Sequence, residues 1–284
     1  MEFKNIVVIG AGTMGNGIVH VFAQSGYDVT MIDTQQEFCE RGIATIKKNL
    51  DRQVKKEKIT TDQMNEALSR IKTSTNTDDV AGADLVVEAI FENLPVKLEL
   101  FKKLSELTRP EVILASNTSS LPITKLARAT SKPDKVIGMH FMNPVPMSRL
   151  IELIRGMATS DETFAVINEL SQKLGKTPCE VNDYPGFIAN RILMPMINEA
   201  VYALFEGVGT VESIDTVMKL GMAHPMGPLT LADFIGLDVC LAILEVMHEG
   251  LGDTKYCPCP LLIKYVEAGY LGRKSGRGFY DYSK

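Results

Sequence analysis

The sequence predicts an α/β protein, with a doubly wound and mostly parallel sheet over residues 1–183 and a smaller, all-helical domain over residues 184–284. In the first region, short runs rich in Val, Ile and Leu alternate with amphipathic stretches, a pattern typical of β-α-β units. Beyond Asp183-Tyr184-Pro185-Gly186 the hydrophobic periodicity is helical. The length of 284 residues also fits two domains of roughly 150 residues each.

Each predicted strand is a short apolar run without polar alternation, as expected of a sheet that is covered on both faces. The predicted strands are Lys4–Ile9, Asp28–Ile32, Asp84–Glu88, Val112–Ala115, Val136–Met139, Leu150–Ile154 and Thr177–Val181. The helices predicted among them are Gly15–Gln24, Glu37–Lys56, Thr61–Arg70, Val96–Leu107 and Pro122–Arg128. In the helical domain the predicted helices are Phe187–Phe205, Val211–Leu220, Leu229–Glu249 and Pro260–Ala268.

The composition argues against several classes of protein. Lys and Arg number 30 against 35 Asp and Glu, a net charge of −5, whereas a nucleic-acid binder needs a basic surface. No apolar run approaches the ~18 residues that span a bilayer, so we expect no membrane segment. The five cysteines are scattered and the chain starts without a secretion signal, so we expect reduced thiols in the cytoplasm. Cys257 and Cys259 have no matching pair nearby, and we expect no metal site.

The first predicted strand runs into a glycine-rich turn, Gly10-Ala11-Gly12-Thr13-Met14-Gly15, which opens the first predicted helix. In that context the G-x-G-x-x-G pattern is the dinucleotide-binding fingerprint of the Rossmann fold. Gly10 makes the tight turn, Gly12 lets the backbone approach a pyrophosphate at the helix N-terminus, and Gly15 allows the helix to pack closely on the strand. We therefore expect all six residues to form the cofactor-binding turn.

Asp33 ends the second predicted strand and is expected to select the cofactor. Its carboxylate can accept hydrogen bonds from the ribose hydroxyls of an adenosine and would repel a 2′-phosphate. The residues that follow, Thr34-Gln35-Gln36, include no cation that could bind such a phosphate. The sequence therefore favours NAD over NADP.

Polar side chains follow three predicted strands at their carboxyl ends, where open α/β sheets bind ligands. Glu88 and Glu92 follow one strand, Asn117-Thr118-Ser119-Ser120 another, and His140 a third, before Phe141-Met142-Asn143-Pro144 turns the chain. Each could be only a turn or cap residue, which is our interpretation of Ser120. If the sheet forms, these groups meet at the nicotinamide end of the cofactor, and we include Asn117 among the cofactor-binding residues.

Glu152 lies within the apolar run Leu150–Ile154, where a carboxylate without a partner costs several kcal/mol. His140 is the natural partner if this strand folds back beside the one before it. A carboxylate on one imidazole nitrogen fixes the tautomer and stabilises the imidazolium, which gives a general base suited to removing a hydroxyl proton during hydride transfer. Without that partner, His140 would be an ordinary buried imidazole bonded to backbone.

Several motifs in combination resemble those of the 3-hydroxyacyl-CoA dehydrogenase family, and the resemblance covers the whole chain. Besides the glycine turn with Asp33 and the turn after His140, they are Glu92-Asn93-Leu94-Pro95-Val96-Lys97, Ser116–Leu121, Pro185–Arg191, His224–Pro228 and Gly272–Tyr280. The resemblance implies NAD-dependent interconversion of (3S)-3-hydroxybutyryl-CoA and acetoacetyl-CoA, as in the short bacterial members of the family that serve butyrate or fatty-acid metabolism.

The resemblance also implies roles for individual residues. His140 and Glu152 match the catalytic pair of the family, and Ser119 and Asn190 match its two polar residues at the substrate. The positions that match cofactor contacts are Asp33, Glu92, Lys97, Ser119, Asn143 and Lys274. From the spacing alone, Asn190 could equally be a buried amide bonded to the backbone.

In the family, a helical extension of the first domain receives coenzyme A, and here that extension is residues 37–70. Lys48, Arg52, Lys55 and Lys56 share a helix face within it, and we assign Arg52 and Lys56 to the phosphates of CoA. A solvated basic face is the alternative. We expect the methionine-rich helical domain to help bind the acyl-CoA and to form a homodimer.

Two other functions stay open at this point. A related dehydrogenase of a free hydroxy acid, such as a sugar acid, would keep the His140–Glu152 pair but would not need Arg52 and Lys56. A non-enzymatic, NAD-binding structural protein of the crystallin type would keep the cofactor site, although the intact pair argues against it.

Overall fold

The chain forms two compact units, the first ending at Asp183 and the second beginning at Tyr184, in a computed structural model that describes residues 3–283. Each unit has an apolar core of its own, which in the first lies against the central sheet and in the second lies among helices. Within residues 3–283, no helix is both long and apolar enough to cross a membrane.

The first unit is built on one eight-stranded sheet. Its strands are β1 (Asn5–Ile9), β2 (Asp28–Ile32), β3 (Ile71–Ser74), β4 (Leu85–Glu88), β5 (Ile113–Ser116), β6 (Val136–Phe141), β7 (Leu150–Arg155) and β8 (Thr177–Asn182). Their spatial order is β3-β2-β1-β4-β5-β6-β7-β8. The strands up to β6 are parallel, β7 runs antiparallel to β6, and β8 is parallel to β7. The strand order switches beside β1, which is where such sheets bind nucleotides.

The predicted fold class is confirmed, and one strand was missed. The unpredicted strand is β3, which pairs with β2 and forms the edge of the sheet. Its four residues are no more than partly buried and include Lys72 and two hydroxyl side chains. An edge strand needs no continuous apolar run, so the signal that marked the central strands is absent here.

The helices of the first unit are α1 (Thr13–Gln24), α2 (Gln36–Lys55), α3 (Thr61–Ser69), α4 (Leu94–Leu107), α5 (Ile123–Arg128) and α6 (Asp161–Lys173). Helix α6 was not predicted, although Ser160 caps it by accepting the N–H of Thr163. Helix α2 buries Cys39, Ile46 and Leu50 on one face and leaves its charged face outside. That arrangement makes α2 available to a ligand.

The helices of the second unit are α7 (Ala189–Phe205), α8 (Val211–Leu220), α9 (Pro228–Ile235), α10 (Leu237–Leu251) and α11 (Pro260–Glu267). The single helix predicted over Leu229–Glu249 is wrong, because Gly236 has φ +107° and separates α9 from α10. A backbone in that region cannot continue a right-handed helix, and glycine adopts it without steric cost.

Two buried aspartates hold the second unit together. Asp215 of α8 accepts the N–H groups of Leu229 and Thr230, each at 2.9 Å, and so caps the start of α9. Asp233 of α9 accepts the N–H groups of Phe279 and Tyr280, also at 2.9 Å. These bonds tie α8 to α9, and α9 to the C-terminal segment.

Candidate active site

In the glycine turn between β1 and α1, backbone segments approach one another more closely than side chains would allow. Gly10 has φ +107°, and a Cβ there would lie 2.4 Å from the carbonyl oxygen of Ala89. A Cβ on Gly15 would lie 1.8 Å from the carbonyl oxygen of Gly10. At Gly12, by contrast, no atom of residues 3–283 beyond Gly12 and its chain neighbours lies within 4 Å of the Cβ position. The start of α1 therefore has open space beside its first N–H groups, as a bound pyrophosphate requires.

A cleft of about 470 Å³ opens beside this turn. Ile32 and Phe38 line it from the β2 side, Phe91 and Val96 line it from the β4 side, and Asp33 is part of its wall. An apolar slot next to a carboxylate and an uncovered helix N-terminus matches the purine, the ribose and the pyrophosphate of a dinucleotide in turn. The residues present therefore fit NAD.

The Asp33 carboxylate is held in a fixed orientation at the end of β2. One oxygen accepts the N–H of Ala11 at 2.7 Å, and the other accepts the N–H of Thr34 at 2.7 Å. Sequence analysis did not identify Arg41 of α2, which lines a smaller pocket together with Asp33 and Gly12. Because Arg41 follows Asp33 by more than one helical turn, inspection of the residues next to Asp33 could not reveal it.

A buried ion-pair network stands behind the ends of β4 and β5. The Nζ of Lys97, whose side chain is 1% exposed, lies 2.7 Å from Glu88 and 3.0 Å from Glu92. Glu88 is fully buried and also accepts the hydroxyl of Ser116 at 2.6 Å. Lys97 therefore lies between two carboxylates, an arrangement that holds Glu92 in place.

Glu92 in turn organises the loop that contains Ser119. One of its carboxylate oxygens accepts the hydroxyl of Thr118, the N–H of Ser119 at 3.1 Å and the hydroxyl of Ser120 at 3.2 Å. Burial raises the pKa of Glu92, but the attraction of Lys97 and these hydrogen bonds outweigh it, so the pKa lies below its usual value. The network thus presents a charged carboxylate to the loop.

Asn117 connects the end of β5 to the end of β6. Its side-chain oxygen accepts the N–H of Phe141 at 2.9 Å, next to His140. Asn117 is 9% exposed. The contact therefore positions the end of β6 beside His140. Binding of the cofactor by Asn117 stays a proposal.

His140 and Glu152 face each other across the antiparallel pair β6–β7, where the register makes them direct partners. The Nδ1 atom of His140 lies 2.7 Å from a carboxylate oxygen of Glu152. The exposed fractions are 8% for His140 and 2% for Glu152. A carboxylate at Nδ1 orients the ring and assigns proton transfer to Nε2.

A second cleft, of about 440 Å³, is here called the basic cleft. Arg52, Lys56 and Lys58 line it from the end of α2, and Pro144, Pro146 and Met147 line it from the loop after β6. Helix α2 ends at Lys55, and neither Lys55 nor Lys48 is among the described residues that line the cleft. Lys58 was not predicted, because it lies beyond the helix periodicity that grouped the other cations.

Asn190 and Lys274 belong to the second unit. Asn190 lies in the first turn of α7 and is 8% exposed. The Nζ of Lys274 lies 2.6 Å from the carboxylate of Asp238 at the start of α10. The predicted roles of both residues stay proposals, as does the predicted contact of the exposed Asn143 with the cofactor.

The first unit thus combines a nucleotide-binding turn with a buried histidine–carboxylate pair, which defines the class of NAD-binding α/β proteins equipped for acid–base chemistry. The sequence matches the NAD-binding domain of 3-hydroxyacyl-CoA dehydrogenase over residues 5–184 and the C-terminal domain of the same enzyme over residues 186–282. The chain belongs to the 3-hydroxyacyl-CoA dehydrogenase family.

Two relatives and one solved structure align with it over 91% or more of their own length. A Bacillus subtilis (strain 168) protein named "Probable 3-hydroxybutyryl-CoA dehydrogenase" is 57% identical, with 100% of this chain and 99% of that protein covered. Human mitochondrial hydroxyacyl-coenzyme A dehydrogenase is 42% identical, with 98% and 91% covered. The crystal structure of (S)-3-hydroxybutyryl-CoA dehydrogenase PaaH1 from Ralstonia eutropha has a TM-score of 0.97 at 51% identity, with both chains covered completely.

Proposed function

We propose that this protein is an NAD-dependent enzyme that interconverts (3S)-3-hydroxybutyryl-CoA and acetoacetyl-CoA, and that it works in the cytoplasm. The observation that supports this reaction is the full-length similarity to proteins named 3-hydroxybutyryl-CoA dehydrogenase, at 57% identity in one case. The buried His140–Glu152 contact of 2.7 Å supplies the acid–base group that the chemistry needs. All five cysteines are free thiols, which suits a reducing compartment.

In the proposed reaction, His140 moves a proton at the oxygen on C3 of the substrate. It removes the hydroxyl proton when the alcohol is oxidised and returns a proton to that oxygen when the ketone is reduced. Glu152 keeps the ring oriented and stabilises its protonated form. When bound, NAD supplies the hydride acceptor. Ser119 and Asn190 are proposed to hydrogen-bond the reacting and thioester oxygens, where charge develops.

The cofactor contacts are proposed as well. Asp33 would bind the adenosine ribose, and the uncovered turn at Gly12 would bind the pyrophosphate. The remaining residues proposed to contact the cofactor are Glu92, Lys97, Asn117, Ser119, Asn143 and Lys274. For Lys97, the burial of the amine between two carboxylates favours an indirect role through Glu92.

The basic cleft is proposed to receive the nucleotide end of CoA. Its wall of Arg52, Lys56 and Lys58 offers three cations to the CoA phosphates, while the opposite wall is apolar. This observation favours an acyl-CoA over a free hydroxy acid, because a small acid has no phosphates that these cations could bind. The structural-protein alternative is disfavoured by the buried histidine–carboxylate pair.

The second unit is proposed to pair with a second copy of the chain. It exposes large apolar side chains near the ends of α7 and α8, among them Phe205, Val208, Val217, Leu220 and Met222. Leu220 is 82% exposed. Water-exposed apolar side chains in such numbers mark an interface. Light scattering should give twice the chain mass for the wild type and a smaller mass for Leu220→Asp.

The function is tested by following NADH absorbance with acetoacetyl-CoA and with free acetoacetate. We expect turnover of the thioester and at least hundredfold lower kcat/KM for the free acid. Arg52→Met/Lys56→Met should raise KM for acetoacetyl-CoA about tenfold, since each phosphate contact contributes up to about 1 kcal/mol. Lys48→Met, on the same helix but outside the cleft, is the control. Equal activity on both substrates would favour the free-acid alternative, and no activity on either would favour the structural protein.

A further inference from the structure

The loop at residues 142–149, here called the proline loop, connects β6 to β7 and forms the apolar wall of the basic cleft. Pro144 and Pro146 lack backbone N–H groups, so the loop has few donors with which to hold its own shape. The N–H groups of Met147 and Ser148 both bond to the carbonyl of Pro144. Buried carbonyl oxygens of such a loop need hydrogen-bond donors from outside it.

Lys176 supplies those partners. Its Nζ donates to the carbonyl oxygens of Val145 and Ser148, at 2.6 Å each. Lys176 immediately precedes β8 and is 9% exposed. Burial lowers the pKa of the Lys176 ammonium. The two hydrogen bonds to the loop carbonyls offset the cost of burying this amine. One side chain therefore holds the loop at two points, three residues apart.

Helix α1 supports the loop from another side. Val145 is 2% exposed and lies against Gly17. A Cβ on Gly17 would lie 2.9 Å from the Cβ of Val145, closer than real contacts permit. Glycine at this position lets the loop seat directly on the helix. The proline loop is thus held by the buried ammonium of Lys176 and by its close contact with Gly17. Neither residue is among those proposed to contact substrate or cofactor.

We propose that Lys176 is a positioning residue for the acyl-CoA substrate. Its bonds to the proline loop fix the apolar wall of the basic cleft at a set distance from the cationic wall, Arg52 and Lys56. The proposal rests on the proposed function of that cleft. The two hydrogen bonds of Lys176 go to Val145 and Ser148 and not to Asn143, the loop residue proposed to contact the cofactor. Loss of Lys176 should therefore weaken binding of acyl-CoA and leave binding of NADH intact.

The test compares Lys176→Met with Lys132→Met. Lys132 is a matched control, because it is 7% exposed and its Nζ also holds a carbonyl, that of Arg109, at 2.6 Å. It lies before β6, away from the basic cleft. We expect Lys176→Met to raise KM for acetoacetyl-CoA at least fivefold, with KM for NADH and kcat within twofold. Lys132→Met should lower the urea midpoint but leave both KM values within twofold.

A truncated substrate separates this proposal from the function of the cleft. Acetoacetyl-pantetheine lacks the nucleotide, so its KM should be higher than that of acetoacetyl-CoA in the wild type and unchanged by Lys176→Met. Equal wild-type KM values for the two thioesters would overturn both proposals. A wild-type difference that Lys176→Met leaves intact would overturn the role of Lys176 alone.

A second variant covers the case in which Lys176→Met does not fold. Gly17→Ala pushes the same loop from the helix side and leaves the lysine in place. It should raise KM for acetoacetyl-CoA at least threefold with KM for NADH within twofold. An unchanged KM for acetoacetyl-CoA in Gly17→Ala, or an equal rise for NADH, would contradict the positioning of the cleft by this loop.

Discussion

Replacing Glu152 by glutamine tests whether the carboxylate acts through His140. The side chain is 2% exposed, and its oxygen lies 2.7 Å from Nδ1. Opposite unit charges about 4 Å apart attract each other by about 4 kcal/mol at an effective dielectric constant of about 20. Glutamine keeps the size and a dipole but loses that attraction to the imidazolium. Because about 1.4 kcal/mol corresponds to a tenfold rate, Glu152→Gln should lower kcat by about 10²- to 10³-fold.

The assay is the initial rate of NADH oxidation with saturating acetoacetyl-CoA. His140→Ala should lower kcat at least ~10²-fold, the usual contribution of acid–base catalysis. If Glu152 works through the ring, the double variant should be no slower than His140→Ala, since residues that act as a unit do not add. Glu180→Gln, an exposed carboxylate on the neighbouring strand, is the control and should stay within twofold. Additive losses in the double variant would refute the pairing as the basis of catalysis.

Three further predictions concern the cofactor site and the helix behind it. Asp33→Ser should raise the kcat/KM ratio of NADPH to NADH at least tenfold, and a further Thr34→Arg should raise it again; a wild type that prefers NADPH would contradict this reading of Asp33. Gly15→Ala should abolish NADH binding in calorimetry or prevent folding, because its Cβ would lie 1.8 Å from the carbonyl oxygen of Gly10. Burial lowers the pKa of His20 to about 4, so between pH 6.5 and about 4 the unfolded chain takes up a proton that the folded one does not. Acid should therefore destabilise the wild type by about 3 kcal/mol more than His20→Gln across that range, measured by urea unfolding.

The His140–Glu152 contact was within reach of the sequence for a physical reason. A carboxylate inside an apolar strand must have a partner. Arg149 and Arg155 each lie three residues from Glu152 and so point to the opposite face of the strand. The proline loop folds β7 back beside β6, which leaves His140 as the candidate. The glycine turn was predictable for a similar reason, because its spacing has a steric meaning. In both cases the constraint lies within one element or between neighbours along the chain.

The ion-pair network around Lys97 could not be predicted from the sequence. On its own helix Lys97 looks like any lysine of an amphipathic segment, and its burial depends on Glu88, which another element places beside it. Helix propensity likewise could not show that Gly236 adopts a positive φ, because that conformation is set by the packing of α9 and α10. Long-range placement of charge and local breaks in periodicity are set by tertiary structure, and a single sequence leaves them undetermined.

Buried lysines have a common physical role in the first unit. Each donates hydrogen bonds to backbone or carboxylate oxygens that have no partner within the sheet. Among residues 3–283, those that are buried are Lys97, Lys132 and Lys176, and each donates to oxygens of a turn or strand end. An ammonium offers three donors on a flexible stem, so it can satisfy oxygens that no ladder reaches. Losing any of them should cost stability. Lys97 and Lys176 hold loops that line the proposed site, so only these two should also change kinetics, and that separation distinguishes positioning from simple packing.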